Sequence, residues 1–160
     1  MRKLFSVLIA SLVLALLIPA TTAVSASCWS YSGSDKKFAK KINNSRKGAG
    51  RGGLKLDPQL SKVAMKQTKT MISKNLLHHT PNLGKRVTKW NALGENVGYG
   101  GGVDSLHKAF MNSPSHKANI LNSKFRYVGV GALKAKGYLW VTVVFQATKN
   151  PGTTLWMPKC

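Results

Sequence analysis

The sequence predicts an α+β fold in three layers, with a β-sheet sandwiched between helices. Two stretches of the first half repeat apolar residues at helical spacing, and the end of the chain changes to the period of a strand. The last strand is the most informative. Its residues Leu139, Val141, Val143 and Phe145 make one face wholly apolar, while Tyr138, Trp140, Thr142 and Val144 make the other half apolar. A strand covered on both sides belongs between two helical layers rather than on a solvated surface.

Residues 1–26 read as a secretory signal peptide rather than as part of the domain. Arg2 and Lys3 are followed by an apolar run over residues 4–18, Pro19 and a short stretch of mostly small residues ending in Val24-Ser25-Ala26, with cleavage expected near Ala26. The run is shorter than the roughly 18 apolar residues of a spanning helix. Residues 27–160 then form a single domain with its core over about 35–148, a length that can bury one core. A secreted, extracellular location and a monomer are expected. The two cysteines, Cys28 and Cys160, read as a disulfide tying the ends of the domain together.

The elements follow in order. Ser34 and Asp35 start a helix that carries Phe38 and Ile42 inward, and Gly48 and Gly50 stop it. Asp57 caps a second helix with Pro58 at its first position, and Leu60, Val63, Ala64, Gln67 and Met71 recur on one face. A third helix over residues 103–112 turns Leu106, Ala109 and Phe110 inward and ends before Pro114. His107 falls on its polar side. Strands over residues 126–133 and 138–148 flank the turn Ala135-Lys136-Gly137.

Charge is the most unusual feature of the composition. The chain has 25 Lys and Arg against 4 Asp and Glu, a formal net charge of +21. Such a balance attracts polyanions. With a signal peptide in front, an anionic cell-envelope polymer or lipid is the expected partner, contacted by Lys36, Lys37, Lys40 and Lys41 on the first helix and by Lys62, Lys66 and Lys69 on the second. Nucleic acid would bind only non-specifically, since Trp29, Trp90, Trp140 and Trp156 are scattered and build no stacking platform.

Two segments are recognisable. Gly94-Glu95-Asn96-Val97-Gly98, followed by Phe110-Met111-Asn112-Ser113-Pro114-Ser115-His116-Lys117-Ala118-Asn119-Ile120-Leu121, resembles the bacterial branch of the CAP superfamily, the fold of cysteine-rich secretory, venom allergen and pathogenesis-related proteins (the SCP domain). Ile42-Asn43-Asn44-Ser45-Arg46, the stretch from Leu54 to Leu60, His79-Thr80, Val128-Gly129-Val130-Gly131 and Trp140-Val141-Thr142-Val143-Val144-Phe145 match further parts of the pattern in the same order. The resemblance implies a three-layer α-β-α sandwich with a central, mainly antiparallel sheet. It also implies a cleft lined by two histidines and two acids. His79, Glu95 and His116 match three of these positions, and the second acid falls at or near Ser113, where the sequence has no carboxylate. Asn96 belongs to the same polar cluster, and all three matched residues fall between the predicted elements.

Two imidazoles and a carboxylate are a candidate site for a divalent metal such as zinc, with no other cofactor expected. The alternative is a hydrogen-bonded cluster that holds the cleft loops together, since buried polar groups need partners. A carboxylate there would raise a neighbouring imidazole pKa. Ser113 and Ser115 beside His116 invite a nucleophile reading, but no Gly-x-Ser-x-Gly turn is present. The function expected is therefore a basic, non-enzymatic binding protein. The resemblance adds a lipid or other small ligand in the cleft, and the alternative is a metal-assisted hydrolase at His79, Glu95 and His116.

Overall fold

The computed structural model describes residues 29–148. The signal peptide expected over residues 1–26 and the expected pair Cys28 and Cys160 lie outside the described residues. Four helices and four strands follow in the order α1 (Gly33–Gly48), β1 (Lys55–Leu56), α2 (Pro58–Lys74), β2 (Trp90–Gly100), α3 (Val103–Asn112), α4 (Pro114–Leu121), β3 (Tyr127–Ala135) and β4 (Tyr138–Thr148), with a short 3-10 turn at Leu83–Lys85. The sheet order is β1-β3-β4-β2. Only β1 and β3 run parallel; β2 and β3 each pair antiparallel with β4. The fold is the α-β-α sandwich expected, with α2 over one face and α1, α3 and α4 over the other.

Helix starts are set by local side-chain bonds. Ser32 caps α1, two residues ahead of the start read from the sequence. Its hydroxyl accepts from Asp35 N at 3.1 Å while Asp35 Oδ2 accepts from Ser32 N at 2.8 Å. The other oxygen, Asp35 Oδ1, accepts from Ala132 N at 2.9 Å, so one buried carboxylate also docks α1 on β3. Asp57 caps α2 by accepting from Leu60 N at 2.9 Å, with Pro58 next to it. Asn75, left-handed at φ 51°, ends that helix.

The two faces of β4 separate two cores. Val141, Val143 and Phe145 meet Phe38, Ile42, Phe110 and Ile120 from α1, α3 and α4. On the other face Val144 joins Leu60 and Ala64, and Trp140 joins Met71 and Val97. Thr142 is fully buried on that face, 2.9 Å from Thr68 Oγ1, which in turn lies 2.7 Å from the Gly131 carbonyl it bonds. The hydroxyl pair is thus satisfied inside the sandwich.

Two elements differ from the reading of the sequence. The segment around Glu95 does not lie between elements but is the edge strand β2, which pairs with β4 from Trp90 to Gly100. Its glycines hide the alternation of a strand, and they are there for packing. A Cβ on Gly94 would sit 2.7 Å from Asn119 Oδ1, and one on Gly98 would sit 2.9 Å from the Phe110 ring. His116 is likewise not in a loop but on α4. Pro114 follows the end of α3 and opens α4, because the first position of a helix is where proline loses no hydrogen bond.

The basic residues are not all on the surface. Arg46 is 1% exposed at the end of α1. Its Nε donates to the Gly52 carbonyl at 2.7 Å, and one terminal nitrogen donates to the carbonyls of Ile120 at 2.7 Å and Asn122 at 2.9 Å. One guanidinium therefore closes the C-terminal end of α4 and the 49–53 loop together. Burial, with the charges of Arg126 and Arg51 behind it, lowers the pKa of this arginine.

Candidate functional site

The polar cluster is assembled around the edge strand β2. Glu95 and Val97 face the α2 side, and Asn96 faces the α4 side, as the alternation of a strand requires. Glu95 meets the segment that follows α2. Its Oε1 lies 2.7 Å from His79 Nδ1 and accepts from Thr80 N at 2.8 Å. The carboxylate is 5% exposed while the His79 side chain is 64% exposed, so the imidazole covers the acid from the solvent side. The remaining oxygen, Oε2, is buried with no hydrogen-bond partner.

On the opposite side Asn96 and Asn119 lock α4 to the strand. Asn96 Nδ2 donates to the His116 carbonyl at 3.0 Å, and Asn119 Nδ2 donates to Asn96 Oδ1 at 2.9 Å and to the Glu95 carbonyl at 3.1 Å. Asn119 is a structural member of the cluster that sequence reasoning misses, although it stands in the recognised segment. The absence of a side chain on Gly94 is what leaves room for it.

The structure thus joins Glu95 to His79 and Asn96 to the backbone of His116. It does not hydrogen-bond the His116 ring to Glu95 or His79 among the described residues. That ring lies against Phe110, with centroids 4.7 Å apart. The pKa of His116 is lowered, first by burial and then by the charge of His79, the reverse of the rise expected from a neighbouring carboxylate. Ser113 stands between α3 and α4, 3.3 Å from the Ser115 hydroxyl, with neither serine bonded to the His116 ring. His107 is not a surface residue. It is half-buried against Phe38 with its Nε2 3.2 Å from Ser45 Oγ, and burial lowers its pKa, with Lys41 adding to the effect.

These donors do not fit a zinc ion as they stand. Among the described residues no three His, Cys, Asp or Glu side chains form a group that could hold a metal. A tetrahedral site needs three or four converging ligands.

The lysines of the expected surface stripe divide between two settings. Lys37 and Lys41 each place Nζ 2.6 Å from an oxygen of Asp104 on α3, so part of the α1 charge is matched within the fold. The hydrogen bonds from these two lysines, with their charges behind them, hold the Asp104 pKa down to about 2. Lys36 and Lys40, and Lys62, Lys66 and Lys69 on α2, are exposed and lie in no ion pair among the described residues.

The order of these motifs along the chain now has a counterpart in known proteins. The model of the cysteine-rich secretory protein (CAP) family matches residues 39–145. The chain belongs to the CAP family. Within this family it is 32% identical over 129 residues to YkwD of Bacillus subtilis, a match covering 75% of this chain and 49% of that protein. The chain therefore spans about half the length of that curated relative. Among solved structures, the CAP domain superposes on an outer surface protein of Borrelia burgdorferi with a TM-score of 0.66, at 24% identity over 71% of this chain and 92% of that one. It superposes equally, at TM-score 0.66, on an extracellular SCP-domain protein of Bacillus anthracis, with 25% identity over 72% of this chain and 41% of that one.

In this CAP domain the His79–Glu95–Thr80 contact acts as a clasp between β2 and the segment after α2. Exchanging the carboxylate for an amide of the same shape keeps an oxygen for Thr80 N but places an amide nitrogen at the buried, unpartnered position. It also turns charge-assisted bonds into neutral ones. Glu95→Gln is expected to lower stability by about 1–2 kcal/mol, read as a shift of the urea midpoint. An unchanged midpoint would remove the structural role of the clasp.

Proposed function

We propose that the protein is a secreted, non-enzymatic binding protein that attaches to anionic envelope or host polymers through its basic surface. The observation that carries this reading is the use of the acids. All four carboxylates of the chain are engaged inside the fold: Asp35 and Asp57 at helix starts, Glu95 in the clasp and Asp104 with Lys37 and Lys41. The other exposed lysines have no internal counterion, so an external anion gains their attraction without first breaking a salt bridge. The N-terminal pattern, and the outer-surface and extracellular proteins to which the chain is similar, support a location outside the cell.

Two observations favour binding over catalysis. The serines near His116 bond each other instead of the imidazole, and the His79 imidazole is hydrogen-bonded to a carboxylate rather than to a hydroxyl among the described residues. A lipid-like ligand is the second element of the proposal. It is favoured by Leu76, Leu77, Tyr99 and Tyr138, which are exposed together around a cavity of about 420 Å³ beside Lys136.

Attachment of this kind is salt-dependent, because the screening length falls to about 8 Å at physiological ionic strength. Sedimentation with anionic and neutral vesicles, and retention on an anionic polymer, are expected to show binding to the anionic partners only. That binding should weaken at least about tenfold from about 50 to 200 mM salt. Affinity that does not change with salt would rule out the basic surface as the means of attachment.

A further inference from the structure

We infer that the groove between α2 and the 78–86 segment is a built site for a linear polyanion carrying phosphate groups, a phosphodiester or polyphosphate chain. The inference deepens the proposed attachment to anionic polymers and rests on it. The groove encloses about 510 Å³. Lys62, Lys66 and Lys74 line one wall from α2, and Lys85 and Arg86 line the other. No side-chain carboxylate lines it, and the four that the chain owns are all engaged elsewhere. Five cations facing one groove without a counterion repel each other unless an anion enters.

The second observation is a pair of unpartnered polar atoms. Thr80 is 9% exposed and lines the groove, yet its hydroxyl is buried with no hydrogen-bond partner. The Nε2 of His78, another lining residue, is buried and unpartnered as well. Native folds rarely leave such groups unpaired, and each exception calls for a partner such as an ion or a water. A phosphate that enters the groove would offer these donors the acceptor they lack. The His78 Nδ1 lies 3.1 Å from Gln67 Nε2 and 2.9 Å from the His79 carbonyl. In the tautomer whose Nδ1 accepts from the Gln67 amide, the ring proton sits on Nε2 and is free for an anion. The clasp fixes this wall, since Glu95 holds the backbone N–H of Thr80.

Shape and composition narrow the ligand. Lys62 and Lys66 are one helical turn apart, about 6 Å, and Lys74 extends the row to about 18 Å along the helix axis. A single small anion meets only part of such a row, whereas a chain with repeated charges meets all of it. No Trp, Tyr or Phe lines the groove, so it lacks a platform of large aromatic rings for successive nucleobases. The apolar part of the wall is Val63 and Pro81, suited to a sugar or polyol backbone.

The test compares two double variants of equal charge. Lys66→Ala/Arg86→Ala empties the groove of two cations. Lys117→Ala/Lys124→Ala removes two exposed cations from the opposite layer. Fluorescence anisotropy would be followed with a labelled polyphosphate long enough to fill the groove, with a glycerol-phosphate polymer, with polyglutamate and with oligo(dT), all at matched charge. The groove variant is expected to lose about tenfold or more in affinity for the two phosphate polymers and to lower the salt slope by about 1–2. The distal variant should lose less than about threefold, and Thr80→Val should weaken binding with its melting temperature unchanged. The tighter of the two phosphate polymers identifies the source of the ligand. Equal losses in the two double variants would overturn the groove while leaving general attachment to anions standing. No binding of any polyanion by the wild type would instead overturn the attachment itself. Polyglutamate bound as tightly as phosphate polymers, or oligo(dT) bound more tightly, would overturn the assignment of the ligand.

Discussion

Gly129→Ala is expected to destabilise the protein by about 3 kcal/mol or more, at or beyond the upper end of ordinary overpacking costs. Helix α2 lies directly on this position of β3. A Cβ built there would stand 2.1 Å from the carbonyl carbon of Leu60, 2.3 Å from its Cβ and 2.4 Å from Ser61 N. Most of what it meets is helix backbone, which cannot rotate aside as a side chain can, so α2 would have to lift from the sheet. Gly131, two residues on along the same face, faces the same constraint from Met65 N at 2.3 Å. Lifting α2 would also break the Val130 N bond to Ser61 Oγ at 3.2 Å and the Thr68 contacts with Gly131 and Thr142. Against a total stability of about 5–15 kcal/mol, the loss is large enough to be seen as a lower yield of folded protein and a lower melting temperature. Gly33→Ala, with nothing within 4 Å of the new Cβ, is the control and should stay within about 0.5 kcal/mol of wild type. A loss below about 1 kcal/mol at Gly129 would mean that α2 is not held this close to β3.

Arg46→Met is the second large effect, at about 2–3 kcal/mol. Two effects of opposite sign compete. Removing a buried charge relieves its desolvation, and a hydrophobe of similar length refills most of the volume, which alone could make the change neutral. The partners decide the balance. The Ile120 carbonyl is buried and would be left without a donor, at a cost of about 1–3 kcal/mol, while the partly exposed Gly52 and Asn122 carbonyls would lose theirs partly to water. No carboxylate is among these partners, so no second buried charge is set free. Lysine should rescue only part of the loss, since one ammonium on a flexible stem cannot reproduce the fixed fork of a guanidinium. Urea unfolding gives the magnitude. Amide hydrogen exchange should rise first in the 120–122 and 49–53 segments, which Arg46 joins. A methionine variant as stable as wild type would show that these carbonyls find other partners.

The contrast between these two sites shows what can be read from the chain. The Val-Gly-Val-Gly stretch is recognisable as a strand, but why its glycines are glycines depends on a helix some 65–70 positions earlier in the sequence. Arg46 is recognisable within a motif, yet by composition alone its charge counts with a basic surface. Only the fold reveals that α1 ends beneath α4 and buries it.

Local chemistry is legible from residue order alone. Asp57-Pro58 announces a helix start because a carboxylate there accepts an unpaired N–H and proline has none to lose. The alternation in β4 announces a strand covered on both faces, and the near-absence of acids announces an appetite for anions. The recognised segments, in their order, identify the CAP fold and bring Glu95 and His79 into one cluster. What the sequence could not decide was anything set by the distance between elements. β2 does not read as a strand because its glycines make room for Asn119 and Phe110, side chains whose approach is fixed by α3 and α4. His116 groups with Glu95 in the motif, yet alternation along an edge strand turns Glu95 toward α2 and leaves α4 on the other side. The lysine stripe of α2 becomes a groove only once the 78–86 segment closes over it, clasped to the sheet by Glu95. Propensity and capping act over a few residues and are written locally. Close approach, burial of a charge and the facing walls of a cleft depend on contacts between distant segments, and these exist only in the folded chain.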